Sequence, residues 1–147
     1  MQPIHIYTDG ACKGNPGSMG IGVIIIPNIN ESNKHIEIGQ YIGHGTNNIA
    51  ELTAIDIALD KLEKLNDLRP VALYSDSQYA INVLTKFNST KNVKLIQQIK
   101  TKLLIYTPGI KLIHVFGHQN NYYNNLVDQL ASNAALTQRD YYKNTLN

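Results

Sequence analysis

The chain has 147 residues and a formal net charge of +2, with 43% hydrophobic and 16% charged residues. These values are typical of one globular domain with one core, and they exclude an intrinsically disordered chain. The single cysteine, Cys12, excludes an internal disulfide framework and a cysteine-based zinc site. The apolar run at residues 21–26 is too short to span a membrane, and the N-terminus does not resemble a signal peptide. We therefore expect a cytoplasmic protein with no membrane partner.

The charges are distributed unevenly along the chain. Every carboxylate lies at or before Asp76 or at or after Asp128. Between them lie only lysines as charged residues, namely Lys86, Lys91, Lys94, Lys100, Lys102 and Lys111. A basic segment flanked by acids is expected where a polyanion lies beside a carboxylate site. On charge alone, a solvated lysine face is the preferred interpretation.

The N-terminal part of the chain has the pattern of β-strands. Residues 4–9 alternate between apolar and polar, and residues 35–42 alternate again. Residues 21–26 are almost all apolar, which is typical of a strand covered on both faces. The glycine-rich stretch between the first two strands contains a turn signal, Asn-Pro-Gly, at residues 15–17. This order predicts an antiparallel meander of three strands.

The pattern then changes to helical spacing. Apolar residues recur with a helical period over residues 48–65, with Thr46 or Asn47 as the N-cap. A short strand is predicted over residues 71–75, and Asp76 follows at its end, where open sheets with parallel strands commonly bind ligands. The remaining predicted elements are a short helix over residues 78–84, a helix over 93–106, a strand over 110–116 and a closing helix over 123–136.

Four acids occupy unusual positions for solvated charges. Asp9 and Asp76 stand at strand ends, Glu51 lies early in a helix, and Asp128 borders a helix face of small residues. Helical spacing predicts that Glu51 and Asp128 both point toward the sheet. Inward carboxylates are costly unless they converge on divalent cations, and oxygen ligands suit Mg²⁺ or Mn²⁺ rather than Zn²⁺. Any one of these acids alone would be interpreted as a helix cap or a surface charge.

Five motifs follow one another along the chain: Tyr7-Thr8-Asp9-Gly10-Ala11; Gly14-Asn15-Pro16-Gly17; Thr46-Asn47-Asn48-Ile49-Ala50-Glu51-Leu52; Ser75-Asp76-Ser77-Gln78-Tyr79; and Gly117-His118 followed by Asp128-Gln129-Leu130-Ala131. Together they resemble type 1 ribonuclease H, in its compact form without an N-terminal hybrid-binding domain. The resemblance implies an α/β ribonuclease H-like fold whose five-stranded mixed sheet, three antiparallel strands and then parallel ones, is flanked by helices. Residues 1–147 are then one ribonuclease H domain, with a core of about residues 3–136 and a loose C-terminal tail, 137–147.

The resemblance also implies a hydrolase. The expected activity is that of an endonuclease that cuts the RNA strand of RNA/DNA hybrids with two Mg²⁺ ions, for which Mn²⁺ can substitute. Asp9, Glu51, Asp76 and Asp128 match the four catalytic, metal-binding carboxylates of the family. Two ions roughly 4 Å apart can activate the attacking water and stabilise the leaving oxygen. His118 matches a catalytic histidine that assists proton transfer or release, a task suited to a group that titrates near neutrality.

Further positions match the family's contacts with nucleic acid. Asn15, Asn47 and Gln78 match residues that contact the RNA strand, where amides can bond a 2′-hydroxyl, and Thr46 matches part of a site for a DNA phosphate. A turn or cap role explains Asn15 and Asn47 equally well. The basic, tryptophan-containing protrusion of many members is short here and lacks tryptophan. Its remaining phosphate contacts are Lys86, Lys91 and Lys94, and fewer cations predict weaker binding with a shallower salt dependence.

Two alternative functions stay open. One is a noncatalytic hybrid-binding module on the same fold, because fold alone does not fix activity. The complete set of four acids argues against that module. The other is a DNA-directed nuclease on the same fold, such as a junction resolvase or an integrase core. In the leading interpretation, we expect a monomer whose partner is an RNA/DNA hybrid.

Overall fold

The computed structural model describes residues 2–86, 88–116 and 121–147. In these residues one mixed sheet contains six strands: β1 (Ile4–Gly14), β2 (Gly17–Ile26), β3 (Ile36–Gly45), β4 (Val71–Ser75), β5 (Ile110–His114) and β6 (Tyr141–Asn144). Their order across the sheet is β5-β4-β1-β2-β3-β6. The strands β1, β2 and β3 form the predicted antiparallel meander, and β4 and β5 are parallel to β1. The predicted ribonuclease H-like architecture is therefore confirmed, with one strand more than expected.

Four helices of the described residues flank the sheet: α1 (Asn47–Leu65), α2 (Gln78–Thr85), α3 (Val93–Ile105) and α4 (Tyr122–Thr137). The larger buried cluster lies between the sheet and α1, α2 and α3, while a smaller cluster lies between the sheet and α4. Because both faces of β2 are covered, its residues from Met19 to Ile26 are all buried, which explains the unbroken apolar run. None of the described helices combines the length and the hydropathy needed to cross a bilayer.

The first two strands are longer than their apolar residues predict. The sequence pattern indicates strands at residues 4–9 and 21–26, yet pairing between β1 and β2 continues to a tight turn at the cis Asn15-Pro16 bond. Several glycines in β1 and β2 are strand residues whose lack of a side chain allows a helix to pack closely on the sheet. A Cβ atom on Gly22 would lie 2.3 Å from the carbonyl oxygen of Val127 in α4. Glycine therefore permits α4 to lie directly against the backbone of β2.

The C-terminal tail is not a loose terminus, so that expectation for residues 137–147 and the count of five strands are both wrong. The strand β6 pairs antiparallel with the beginning of β3. Beyond β6, the Thr145 hydroxyl donates a hydrogen bond to the Asn33 carbonyl oxygen at 2.6 Å, and Leu146 packs against the larger buried cluster. These partners are more than a hundred residues away along the chain, and a local sequence pattern carries no signal of such distant pairing.

Removal of residues 141–147 is expected to lower the free energy of unfolding by about 1–3 kcal/mol. The deletion removes the cross-strand pairs of β6 and the packing of Leu146, and it exposes the edge of β3. Urea denaturation followed by circular dichroism measures the change. Deletion of the exposed Asn147 alone is the control and is expected to leave the midpoint unchanged. An unchanged midpoint after the full deletion would show that β6 does not contribute to the stable fold.

Candidate active site

The carboxylates predicted from the sequence come from four elements that meet near the middle of the sheet. Asp9 is in β1, and Asp76 follows the neighbouring parallel strand β4. The pairing between β1 and β4 ends at Thr8 and Ser75, so the two acids come next on adjacent strands, although β1 itself continues to Gly14. Glu51 reaches the site from the N-terminal part of α1, and Asp128 from α4 on the opposite face of the sheet.

Three of these carboxylates form a compact cluster. Asp9, Glu51 and Asp76 each offer an oxygen atom, and these atoms lie within 4.8 Å of one another. Asp9 is 3% exposed and Glu51 7%, while Asp76 is half-buried. The Gly10 backbone N–H donates to Asp9 Oδ1 at 2.9 Å and to Glu51 Oε1 at 2.7 Å. A single backbone donor therefore holds two of the three acids in place.

The cluster depends on a very close approach between β1 and α1. A Cβ atom on Gly10 would lie 2.4 Å from the backbone nitrogen of Glu51, so no larger residue fits at this position. The start of the helix is fixed by Thr46, whose hydroxyl oxygen accepts a hydrogen bond from the Ile49 N–H at 3.2 Å. Of the two predicted caps, Thr46 is the one that caps α1. The cap and the glycine together set the depth at which Glu51 enters the site.

Asp128 lies at the outside of the cluster, where its side chain is exposed rather than buried. Val127 and Ala131 occupy the buried positions of α4, and Asp128 is exposed beside them. Asn124, one turn before Asp128, and Ala131, one turn after it, are both buried, so Asp128 borders the buried side of α4. The Asp128 side chain is close enough to the carboxyl group of Asp9 to raise the pKa of Asp9. It therefore contacts the cluster through Asp9.

Burial and mutual repulsion shift the pKa values of the inner acids. Burial raises the pKa of Asp9 to about 11, and the charges of Glu51 and Asp76 and hydrogen bonds with Glu51 and Asp128 add to the rise. Burial likewise raises the pKa of Glu51 to about 8, and the charge of Asp76 acts in the same direction. Hydrogen bonds from Asp9 and from the Gly10 N–H oppose the rise for Glu51. At neutral pH without metal, these raised pKa values therefore favour protonated carboxyl groups in the cluster.

A row of tyrosines joins the cluster to α4. The ring of Tyr7 stacks on Tyr74 with centroids 4.4 Å apart and contacts the Tyr123 ring at 5.2 Å. Tyr7 and Tyr74 each lie two residues before a cluster acid, and Tyr123 is in the first turn of α4. The stack therefore fixes the beginning of α4 beside Asp9. The sequence interpretation assigned these tyrosines no role; the signal was their spacing from the acids, which places Tyr7 on the same strand face as Asp9.

Two of the predicted contacts with nucleic acid are joined in the structure. Asn15 Oδ1 accepts a hydrogen bond from the Asn47 N–H at 3.0 Å, so the turn between β1 and β2 is tied to the start of α1. Thr46 is next to Asn47 at this junction. Gln78 is exposed at the start of α2, where its Nε2 atom donates to Asn82 Oδ1 at 2.8 Å. Asn47 lies four residues before Glu51 in α1, and Gln78 lies two residues after Asp76, so both exposed amides are close to cluster acids along the chain.

The predicted basic contacts are all exposed. They are Lys86 at the end of α2, Lys91 before α3 and Lys94 in the first turn of α3. His118, the predicted catalytic histidine, lies outside the described residues. The neighbouring strand end supplies another histidine, since His114 Nε2 lies 3.3 Å from the backbone oxygen of Asp76. This contact links β5 to the segment that carries Asp76.

Comparison with known proteins identifies the family. A model of the RNase H family matches residues 1–136. The chain belongs to the RNase H family. A ribonuclease H of Chlorobium phaeobacteroides is 36% identical, covering 92% of this chain and 97% of the relative. The ribonuclease H of Prosthecochloris aestuarii is 39% identical with the same coverage. The resemblance drawn from the five motifs is thereby confirmed, and so is the prediction that the chain is a ribonuclease H.

Solved structures of the family have the same fold. LC11-RNase H1, isolated from compost by a metagenomic approach, gives a TM-score of 0.80 at 28% identity and covers 94% of this chain and 99% of its own. A structure of LC11-RNase H1 in complex with an RNA/DNA hybrid gives a TM-score of 0.78, with coverage of 92% and 98%. The fold described above is therefore shared with these RNase H1 structures.

The raised pKa of Asp9 predicts that Asp9→Asn stabilises the metal-free protein. An acid whose pKa is raised by folding binds more protons when folded, so its contribution to stability falls as pH rises from about 3.9, its unfolded value, toward the folded value. We expect the variant to gain about 1–3 kcal/mol in the free energy of unfolding at neutral pH, and little near pH 3.

Urea denaturation in the presence of a chelator, at both pH values, measures this gain. Glu63→Gln, at an exposed position of α1, is the matched control and is expected to change stability little. A loss of stability in Asp9→Asn at neutral pH would contradict the electrostatic account of the cluster.

Proposed function

We propose that this chain is an endonuclease that hydrolyses the RNA strand of RNA/DNA hybrids by attack of water at phosphorus. The observation that carries the proposal is the cluster of Asp9, Glu51 and Asp76 oxygens within 4.8 Å, in a chain of the RNase H family. The hybrid bound to LC11-RNase H1, at 28% identity, supports the same substrate here. The exposed amides of Asn15 and Asn47 offer donors and acceptors to a 2′-hydroxyl, which distinguishes RNA from DNA.

The donor set fits divalent magnesium, with manganese as a substitute. All ligands are carboxylate oxygens, which suit hard cations, and burial makes their negative charges costly without a counter-ion. Asp9, Glu51 and Asp76 would hold the metal, with Asp128 completing the set from α4. Two bound cations would supply an activated water and stabilise the leaving 3′ oxygen. The Gly10 N–H keeps Asp9 and Glu51 oriented for this role.

The other predicted residues complete the proposal. His118 is proposed to assist proton transfer or product release, because histidine changes charge near neutrality. Nucleic-acid contacts are proposed for Asn15, Thr46, Asn47, Gln78, Lys86, Lys91 and Lys94. The exposure of these amides and lysines supports their availability. We also propose that the chain acts as a monomeric single domain in the cytoplasm, and the family match over residues 1–136 supports the single domain.

Asp76→Asn is expected to keep the fold and to lower cleavage of an RNA/DNA hybrid by at least about 100-fold. The substitution removes a negative ligand from the cluster while the shape of the side chain is kept, and metal catalysis of this kind contributes several kcal/mol. Gel-resolved cleavage of an end-labelled RNA, in Mg²⁺, Mn²⁺ or chelator, measures the loss. Asp140→Asn, at an exposed position outside the cluster, is the matched control and should retain full cleavage.

The same RNA should be tested as a hybrid, as duplex RNA and as a single strand, beside duplex DNA of the same sequence. Cleavage of the hybrid alone, lost in Asp76→Asn, is the expected result. Tight hybrid binding without cleavage in either metal would favour a noncatalytic module. Equal cutting of duplex DNA would favour a DNA-directed nuclease, and cleavage that persists in Asp76→Asn would contradict the site.

Divalent cations are expected to stabilise the folded protein through the same acids. A ligand at 100 times its dissociation constant adds about 2.7 kcal/mol to the free energy of unfolding. Thermal unfolding with and without Mg²⁺ or Mn²⁺ should therefore show a higher Tm with metal for the wild type, and a much smaller rise for Glu51→Gln. Glu63→Gln is the control and should respond like the wild type. An equal rise in Tm for Glu51→Gln would place the metal elsewhere.

A further inference from the structure

One part of the sheet has a face that the helices leave open. The helix α4 packs across β1, β2 and β3, but among the described residues no helix packs extensively over the same face of β4 and β5. The strand registers place five side chains on this part of the sheet, which we call the open face: His5, Ala72, Tyr74, Lys111 and Ile113. Ala72 is buried and Lys111 is exposed, while the other three are half-buried.

The aromatic rings of the open face are held in place before any ligand binds. The rings of His5 and Tyr74 are stacked with centroids 5.7 Å apart, and His5 Nδ1 lies 2.9 Å from the Tyr74 hydroxyl. Tyr74 also stacks on Tyr7, which is buried under α4. Rings that are already ordered lose little conformational freedom on binding. Flat, ordered rings suit nucleobases, because every base has a π-face that stacks on an aromatic side chain.

The other residues of the open face favour nucleic acid over an apolar partner. Lys111 belongs to residues 77–127, which contain no carboxylate, so a phosphate backbone meets no acid of this segment. Ile113 is half-buried but belongs to neither buried cluster, which leaves apolar surface beside Tyr74. A cation beside aromatic rings is a combination found in proteins that bind single-stranded nucleic acid.

The open face begins beside the carboxylate cluster. Tyr74 lies two residues before Asp76, and His5 lies about 13 Å from Asp9 along β1 at the usual rise of a strand. Under the proposed function, the strand held at the carboxylates is RNA. An RNA strand that continues past the end of its DNA partner would therefore be the strand that reaches Tyr74 and His5.

We propose that the open face binds a single-stranded extension of the RNA strand, with bases packed against the half-buried rings of Tyr74 and His5 and phosphates near Lys111. The proposal rests on the proposed function and names a substrate class within it. The preferred substrate is an RNA only partly paired with DNA. Because the open face lies on one side of the cluster, an extension at only one of the two RNA ends is expected to reach it.

The test compares cleavage of four substrates that share one hybrid segment. One is blunt, two carry an RNA extension of about 10 nucleotides at the 5′ or the 3′ end, and one carries a DNA extension of equal length. For the wild type, kcat/KM should be about 3- to 10-fold higher for one RNA extension than for the blunt hybrid. Lys111→Glu and Tyr74→Leu should lose this advantage, while Lys64→Glu, an exposed charge reversal in α1, should keep it.

Equal rates on blunt and extended hybrids, an equal advantage for the DNA extension, or an advantage that survives in both Lys111→Glu and Tyr74→Leu would overturn the proposal. Lys111 is exposed, so its variant remains informative if Tyr74→Leu does not fold. If no hybrid is cleaved, the proposed function fails and a second measurement decides. Fluorescence anisotropy of labelled single-stranded RNA in chelator should then show weaker binding by Lys111→Glu than by Lys64→Glu, and equal binding would overturn the proposal.

Discussion

The contact between Gly10 and the backbone of α1 is the constraint on which the site depends. Because residue 10 has no side chain, the strand and the helix approach closely enough for one N–H to bond both Asp9 and Glu51. Two carboxylates drawn together in a buried place repel each other, and the proton on Asp9 relieves that repulsion when no cation is present. The packing of β1 against α1 therefore also makes the carboxylate cluster favour a bound cation.

The sequence predicted the elements better than it predicted their edges. Asp76 could be assigned to a strand end because an apolar run is a local signal, and Thr46 could be named as a cap because capping is also local. Asp9 was expected at a strand end but lies within β1, which continues to Gly14. The sequence pattern missed the full length of β1 and β2 because glycines are typical of loops. In the structure, these glycines are strand residues that allow helices to pack closely on the sheet. The tail was misjudged because β6 is defined only by its partner β3.

The candidate site shows the same contrast between local sequence signals and contacts that depend on the tertiary fold. Helical spacing indicated that Glu51 borders the apolar stripe, and it is buried. Helical spacing also placed Asp128 beside the buried side of α4, but it did not show that Asp128 stays exposed where it contacts Asp9. Spacing places Tyr7 on the same strand face as Asp9, but its contacts with Tyr74 and Tyr123 form only when two parallel strands and a helix are brought together. Local patterns locate single residues, whereas the contacts between them arise from the tertiary fold.

The glycine contact between β2 and α4 has a consequence for how the site can change. Gly22 sets the distance between the helix and the sheet, and the helix residue that it touches, Val127, is the immediate neighbour of Asp128. A larger side chain at Gly22 would push α4 outward as a rigid rod and carry the Asp128 carboxylate away from Asp9. Gly22 has no functional group of its own, yet the space that it leaves sets the distance between the Asp128 carboxylate and Asp9.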